Sequence, residues 1–175
     1  MSFAAIATQT TLERWTADPS RATLEFEVKH LWGLQTVRGR FRRIDGSYVV
    51  GPAGDAIRLT IDAASVDTGN AARDKELRSA DFFDVGHHPH VRLTSMHITG
   101  LGNGHVHVSG ELTAAGTPVP IAFDASVRVI DGELELEATT TVDQRSFGMR
   151  QGPLCNIRPP AKLHVQARLV RERPN

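Results

Sequence analysis

The stretch IAFDASVRVIDGELELEA, residues 121–138, alternates apolar and polar side chains on both sides of Asp131-Gly132. Ile121, Phe123, Ala125, Val127 and Val129 fall on one face, and Leu134, Leu136 and Ala138 continue the pattern after the break. A period of two marks a strand with one buried face. The same rhythm runs through Leu24, Phe26 and Val28, set against Glu25, Glu27 and Lys29, and through Val37, Gly39 and Phe41, set against Arg38, Arg40 and Arg42. After Asp45-Gly46, read as a turn, it resumes at Tyr48 and Val50 and predicts a hairpin there. Ile57, Leu59 and Ile61, then Val91 and Leu93, then Val106 and Val108, and finally Leu163, Val165, Ala167 and Leu169 repeat it. With no helices alternating between them, these segments exclude a parallel α/β sheet. They predict an all-β chain, an extended antiparallel barrel of about eight strands with one short helical segment.

That helical segment is RDKELRSADFFD, Arg73 to Asp84, where seven charges surround Leu77, Phe82 and Phe83. Asp67-Thr68-Gly69-Asn70 supplies cap residues before it, so a helix beginning near Asn70 is expected, the whole segment covering about 70–84. A chain of 175 residues is long enough for one domain with a sizeable core, expected over 10–172 with a loose segment at 1–9. Twenty basic and twenty acidic residues give a formal net charge of zero, so nothing in the overall field selects a polyanion as partner. The single cysteine, Cys155, excludes an intrachain disulfide framework. No basic n-region followed by an apolar run opens the chain, and no stretch nears the roughly 18 apolar residues of a membrane span. A soluble, cytoplasmic protein is expected.

The motifs also line up as a set. RWTADPSRATLEFEVKHLWGLQTVRGRF at 14–41, SVDTGNAARDKELRSADFFDVGHHPHVRLTS at 65–95, VSGELTAAGTPVPIAF at 108–123, DQRSFGM at 143–149 and the closing strand near 160–170 together resemble the YceI-like family of bacterial lipid-binding proteins. The resemblance implies a lipocalin-like barrel whose apolar lumen holds a long-chain isoprenoid or related lipid, often in a homodimer, without catalysis. It also implies that the charged segment is a cover over the barrel, anchored by Leu77, Phe82 and Phe83. Arg73 and Asp74 would then supply fixed hydrogen bonds or ion pairs. His30, which ends an apolar strand within the family pattern, is expected as a hydrogen-bonded structural histidine.

Other chemistry finds less support. His87, His88 and His90 lie close in sequence, and His105 and His107 share one strand face, but no carboxylate or thiolate stands at a recognisable ligand spacing, so a solvated turn is favoured over a metal site. Arg38, Arg40 and Arg42 form an outward row read as paired with neighbouring acids, and no aromatic residues interleave with basic ones as nucleic-acid binding would need. No serine sits in a nucleophile elbow, Cys155 lies in GPLCN, and no Gly-rich phosphate loop occurs. No catalytic residue, metal or cofactor is assigned beyond a bound lipid.

Alternation selects the lumen residues. From the first half of the chain these are Leu24, Phe26, Val28, Phe41, Leu59 and Ile61. From the second half they are Leu93, Val106, Val108, Phe123 and Val127, with Leu77, Phe82 and Phe83 from the cover. Two functions fit a barrel of this size, which either fills with side chains or holds one small ligand. One is a carrier for a polyprenyl, quinone or fatty-acid chain. The other is a filled barrel that acts through a protein partner.

Overall fold

The computed structural model describes residues 12–30, 33–150 and 157–173. The expected loose segment 1–9 and Cys155 lie outside them. The strands are β1 (Glu13–His30), β2 (Gln35–Phe41), β3 (Ile44–Val50), β4 (Ala56–Asp62), β5 (Val66–Asp67), β6 (His90–Gly102), β7 (His105–Ala114), β8 (Thr117–Ile130), β9 (Glu133–Val142) and β10 (Ile157–Arg171), with helix α1 (Ala71–Leu77) between β5 and β6. All neighbours are antiparallel. β10 pairs with β1, which closes β1, β3, β4 and β6 to β10 into an eight-stranded barrel.

β1 is long enough to take two partners on one edge. Its first residues pair with β3 (Thr16 opposite Ser47) and its last with β2 (Leu24 opposite Phe41), while β5 extends β2 outward. The hairpin expected at Asp45-Gly46 is therefore absent. Gly46 lies inside β3 opposite Leu59, and a Cβ there would sit in ordinary contact, 3.4 Å from Leu59 and 3.6 Å from Ala17. The break falls one step earlier, where the Arg42 and Arg43 amides leave the ladder and donate to Ser65 Oγ at 3.2 and 3.1 Å.

β1 also starts well before the alternation at Leu24, Phe26 and Val28. Trp15 and Ala17 are already buried, and only the register against β10 shifts, between Ala17 and Ala22. Asp18 accepts from the Ser20 amide and hydroxyl and from Arg21 Nε, and these bonds lower its carboxyl to about 2. Arg21 in turn donates to both carboxylate oxygens of Glu133 at 2.6 and 2.8 Å, which pins the bulge to the start of β9. At the Asp131-Gly132 turn both residues have positive φ, 54° and 80°, as a tight hairpin with the right-handed strand twist requires.

The interior is uneven along the barrel axis. One end is solid: Trp15, Tyr48, Val106, Val108, Val127 and Leu134 are all buried, with Tyr48, Val108 and Val127 at 0 % exposure. Each such apolar side chain contributes about 1.5–3 kcal/mol by leaving water. At the other end the wall residues meet α1 and the turns that follow it. α1 is capped by Asn70, whose Oδ1 accepts from the Arg73 amide at 3.0 Å. It is shorter than the expected 70–84 span. Ser79 Oγ donates to the Glu76 carbonyl and the Phe83 amide to the Leu77 carbonyl, so 78–84 continues as turns that press Phe82 inward at 2 % exposure.

Candidate ligand cavity

The hollow end of the barrel holds an apolar cavity of about 150 Å3. Leu24, Phe26 and Val28 come from β1, Phe41 from β2, Leu59 and Ile61 from β4, Leu93 from β6 and Phe123 from β8. Leu77, Phe82 and Phe83 close it from above. Eight of the eleven residues chosen by alternation and all three from the cover thus meet round one space. Val106, Val108 and Val127 do not: they point inward as expected but fill the solid end. Alternation determines which face a side chain takes, not its height along the barrel.

Three rings form a chain on one side, with Phe26 and Phe41 centroids 5.7 Å apart and tilted, and Phe41 and Phe83 5.6 Å apart, edge to face. Phe123 stands three strands away round the barrel and makes no ring contact with them, so the rings line the space without meeting across it. Below lies a second cavity of about 50 Å3, lined by Ala17, Ala22, Gly46, Ala125 and Ala167 among others. Leu59, Leu93, Phe123 and Val165 border both spaces. A wider groove outside β1 and β2 is polar, and its Arg38 and Arg40 are already paired with Glu27 and Asp67.

The cover is held by polar contacts that face away from the cavity. Asp74 is buried at 7 % exposure and accepts from the Thr68 amide at 2.9 Å and hydroxyl at 2.7 Å. Arg78, which the sequence reading passed over, donates from Nε to the Ala64 carbonyl and from Nη2 to the Val66 carbonyl, both at 2.8 Å. Charge in this segment is architectural at Asp74 and Arg78. Arg73 departs from its expected role: its side chain makes no hydrogen bond or ion pair among the described residues, Nε is buried without an acceptor, and the residue lines the cavity. His30 departs too, since both ring nitrogens are buried without partners; its ladder contacts with Gln35 and Ile157 are strand pairings that leave the ring unused.

Gln144, Phe147 and Met149 also line the cavity. They belong to or follow the 3-10 turn Gln144–Phe147, begun by Asp143 accepting from the Arg145 amide at 3.0 Å. The Arg150 amide donates to the Asp81 carbonyl at 2.7 Å and ties this segment to the cover. Such irregular backbone has no period to read, and the only signal was the DQRSFGM motif. Gln144 is buried at 7 % exposure and its Oε1 has no donor. An unmade hydrogen bond of this kind costs about 1–3 kcal/mol.

The histidines disperse. His87 Nδ1 lies 3.0 Å from Asp84, His107 Nδ1 lies 2.7 Å from Asp124, and the His88 ring covers Gly116. Among the described residues no three histidine, cysteine or acidic side chains gather as metal ligands would. The arginine row is paired as expected, Arg38 with Glu27, and Arg40 and Arg42 with Asp67. No helix among the described residues is long and apolar enough to cross a membrane.

A closed antiparallel barrel, solid at one end and hollow at the other under a helical cover, is the architecture of an all-β protein built round an apolar cavity. The chain belongs to the YceI-like family, whose YceI-like domain matches residues 15–169. A UPF0312 protein of Shewanella baltica strain OS185 is 31% identical over 163 residues, covering 87% of this chain and 82% of that one. A UPF0312 protein of Vibrio cholerae strain O395 is 36% identical over 109 residues, 61% of this chain; the matched stretch spans 57% of that relative's length. Among solved structures, BcnA of Burkholderia cenocepacia superposes with a TM-score of 0.78 at 18% identity, covering 87% of this chain and 98% of that one. A polyisoprenoid binding domain from Saccharophagus degradans superposes with a TM-score of 0.68 at 20% identity, covering 94% and 100%. At these identities the likeness is one of fold.

Proposed function

We propose that the protein is a non-catalytic carrier that holds the chain of an isoprenoid or related lipid in the cavity beneath α1. The observation that carries this reading is an apolar cavity whose wall is shared between barrel strands and a separate cover. Family membership and the fold it shares with a polyisoprenoid binding domain support it. The physical driving force is desolvation. Each buried CH₂ contributes roughly 0.8 kcal/mol, so about ten of them offset the entropy of association without any polar contact.

A void of about 150 Å3 is the size that admits a benzene-like guest and stays dry when its walls are apolar. A long chain needs more length. The lower cavity supplies it once Leu59, Leu93, Phe123 and Val165, which border both spaces, move aside. Carrier and cover then act together, in a cytoplasmic protein and a homodimer on this reading, which fractionation and sedimentation test.

The decisive experiment is organic-solvent extraction of natively purified, detergent-free protein, analysed by mass spectrometry beside the intact mass of the complex. One lipid species at about one per chain supports the carrier and names its cargo. A chain that is empty and stays empty when offered quinones, polyprenols and fatty acids overturns it in favour of a barrel acting through a protein partner.

A further inference from the structure

β2 has a partner along the whole of one edge and along little of the other. β1 pairs with every residue from Gln35 to Phe41, whereas β5 pairs only with Arg40 and Phe41. β5 leaves the ladder after Asp67, where the Thr68 amide turns to Asp74 Oδ1 and the Gly69 amide to Asp67 Oδ1, both at 2.9 Å. Among the described residues no further strand lies beside 35–39 on that side. The polar groove outside the sheet, of about 470 Å3, reaches this corner, where Arg38, Gly39, Thr68 and Gly69 line it. The ladder also gives the direction of the unused groups. The Arg42 amide donates to the Ser65 carbonyl, on the β5 side, so with a period of two the N–H and C=O of Arg38 and Thr36 point to that side as well. An edge with such free groups is a template for one more strand.

The outer face beside this edge decides what that strand can be. Lys29 and Arg158 stand opposite one another on β1 and β10, and Lys162 stands opposite Glu27, whose other neighbour is Arg38. Glu27 is the one acid among these five, and Arg38 Nε holds it at 3.1 Å. Lys29 donates to Thr36 Oγ1 at 3.0 Å, and Arg158 makes no hydrogen bond or ion pair among the described residues. The Arg38 hydrogen bond first, then the charges of Lys29 and Lys162, hold the Glu27 carboxyl below its ordinary value. A cationic edge repels a basic strand, and two copies of it repel one another, so it favours an acidic one.

We infer that the open edge of β2 takes up an extended acidic segment of a partner protein, as an added strand antiparallel to β2 and in line with β5. Its backbone exchanges hydrogen bonds with Arg38 and Thr36. Its side chains opposite those two residues share the cationic outer face and are acidic, and the one between them, opposite Val37, is apolar. Val37 is buried and lines the cavity, so the segment docks against the wall of the ligand space. Leu34, 84 % exposed just before β2, offers it a further apolar contact. The docking is independent of what the cavity holds.

The test titrates the full-length chain into fluorescein-labelled octapeptides and follows anisotropy. One peptide alternates glutamate and valine, one alternates lysine and valine, and one carries the glutamates and valines in two blocks. The alternating acidic peptide should bind about tenfold more tightly than either of the others. Thr36→Pro removes an N–H that faces the open side and spares the β1 ladder, so it should weaken that binding about tenfold, whereas Thr36→Val should change it by less than about twofold. Arg38→Glu should reverse the preference between the glutamate and lysine peptides. Equal binding of the alternating and block acidic peptides means that charge alone acts and overturns the added strand. So does a failure of the alternating acidic peptide to bind, or its undiminished binding to folded Thr36→Pro. A dimer seen by sedimentation that Thr36→Pro dissolves, with no peptide bound, gives the edge to a second copy and likewise overturns the proposal. The peptide comparison needs no variant, so a folding defect in a substituted chain does not blunt it.

Discussion

The Phe26 ring covers the backbone of Gly39, its cross-strand partner on β2, so closely that a Cβ on residue 39 would fall 2.3 Å from Phe26 Cζ. Gly39 has extended backbone, and its lack of a side chain serves the ring. Phe26 is thereby set low against the sheet, with Phe41 beside it and the cavity in front.

Gly39→Ala should push the ring into the cavity and cost about 1–3 kcal/mol, as overpacking of a filled position does. Urea denaturation measures the loss. Adding Phe26→Ala should recover part of it, because the clash disappears with the ring, so the double variant should be less destabilised than the sum of the single changes. Additive losses would separate the two residues energetically.

Ala167 lines the lower cavity, whose about 50 Å3 is left open by small side chains. Ala167→Leu should fill that space and shorten the chain the barrel accepts. In the extraction experiment, long-chain species should give way to shorter ones while the stoichiometry stays at about one. An unchanged chain-length distribution would show that ligands stop in the upper cavity.

Tyr48 is the sole tyrosine, is fully buried, and donates to Asp55 Oδ2 at 2.6 Å. Burial first, and Asp55 second, push its phenol well above the ordinary 10.0. Because the folded state holds this proton more tightly than the unfolded chain, its stabilising contribution is complete below about pH 10 and is lost as pH rises beyond that. Absorbance of the phenolate should therefore appear only with unfolding, and Tyr48→Phe should flatten the alkaline fall in stability. A phenolate signal that develops in the folded protein at about pH 10 would contradict the burial.

Arg78 spans two backbone carbonyls with one planar group, which lysine cannot reproduce. Arg78→Lys should cost about 1.5–3 kcal/mol and act locally. Hydrogen exchange should quicken over 71–84 while the β7–β9 ladders stay protected. Uniform acceleration across the barrel would mean that the cover and the strands open as one unit.

Much of this was legible in the sequence. The period of two placed Leu24, Phe26, Val28, Phe41 and Phe123 inward, and the helix cap at Asn70 was readable from residue type alone. What escaped was whatever depends on the third dimension. Val106 and Val108 share the pattern of Leu112 and Ala114 on β7, yet only the latter pair lines the cavity, because position along the barrel axis leaves no mark on periodicity. Asp45-Gly46 looks like a turn but sits in a strand, because β3 pairs with β1 and β4 and not with β2, a choice of partner that residue type does not encode. Arg73 and Arg78 are equivalent as letters in a charged helix, and only their rotation about it separates a cavity wall from a backbone clasp. Gln144 lies in irregular chain between two strands, where pattern has nothing to say.

The pairing of β1 with β10 bears on the protein's biosynthesis. Residues 13–30 leave the ribosome well before residues 157–171, which give them their second neighbour, so this seam of the barrel has the greatest separation along the chain. Before that seam forms, the cavity has no wall on the β10 side and its apolar lining faces water or a chaperone. The compartment is thus walled on all sides only once the strand that comes last in chain order has docked.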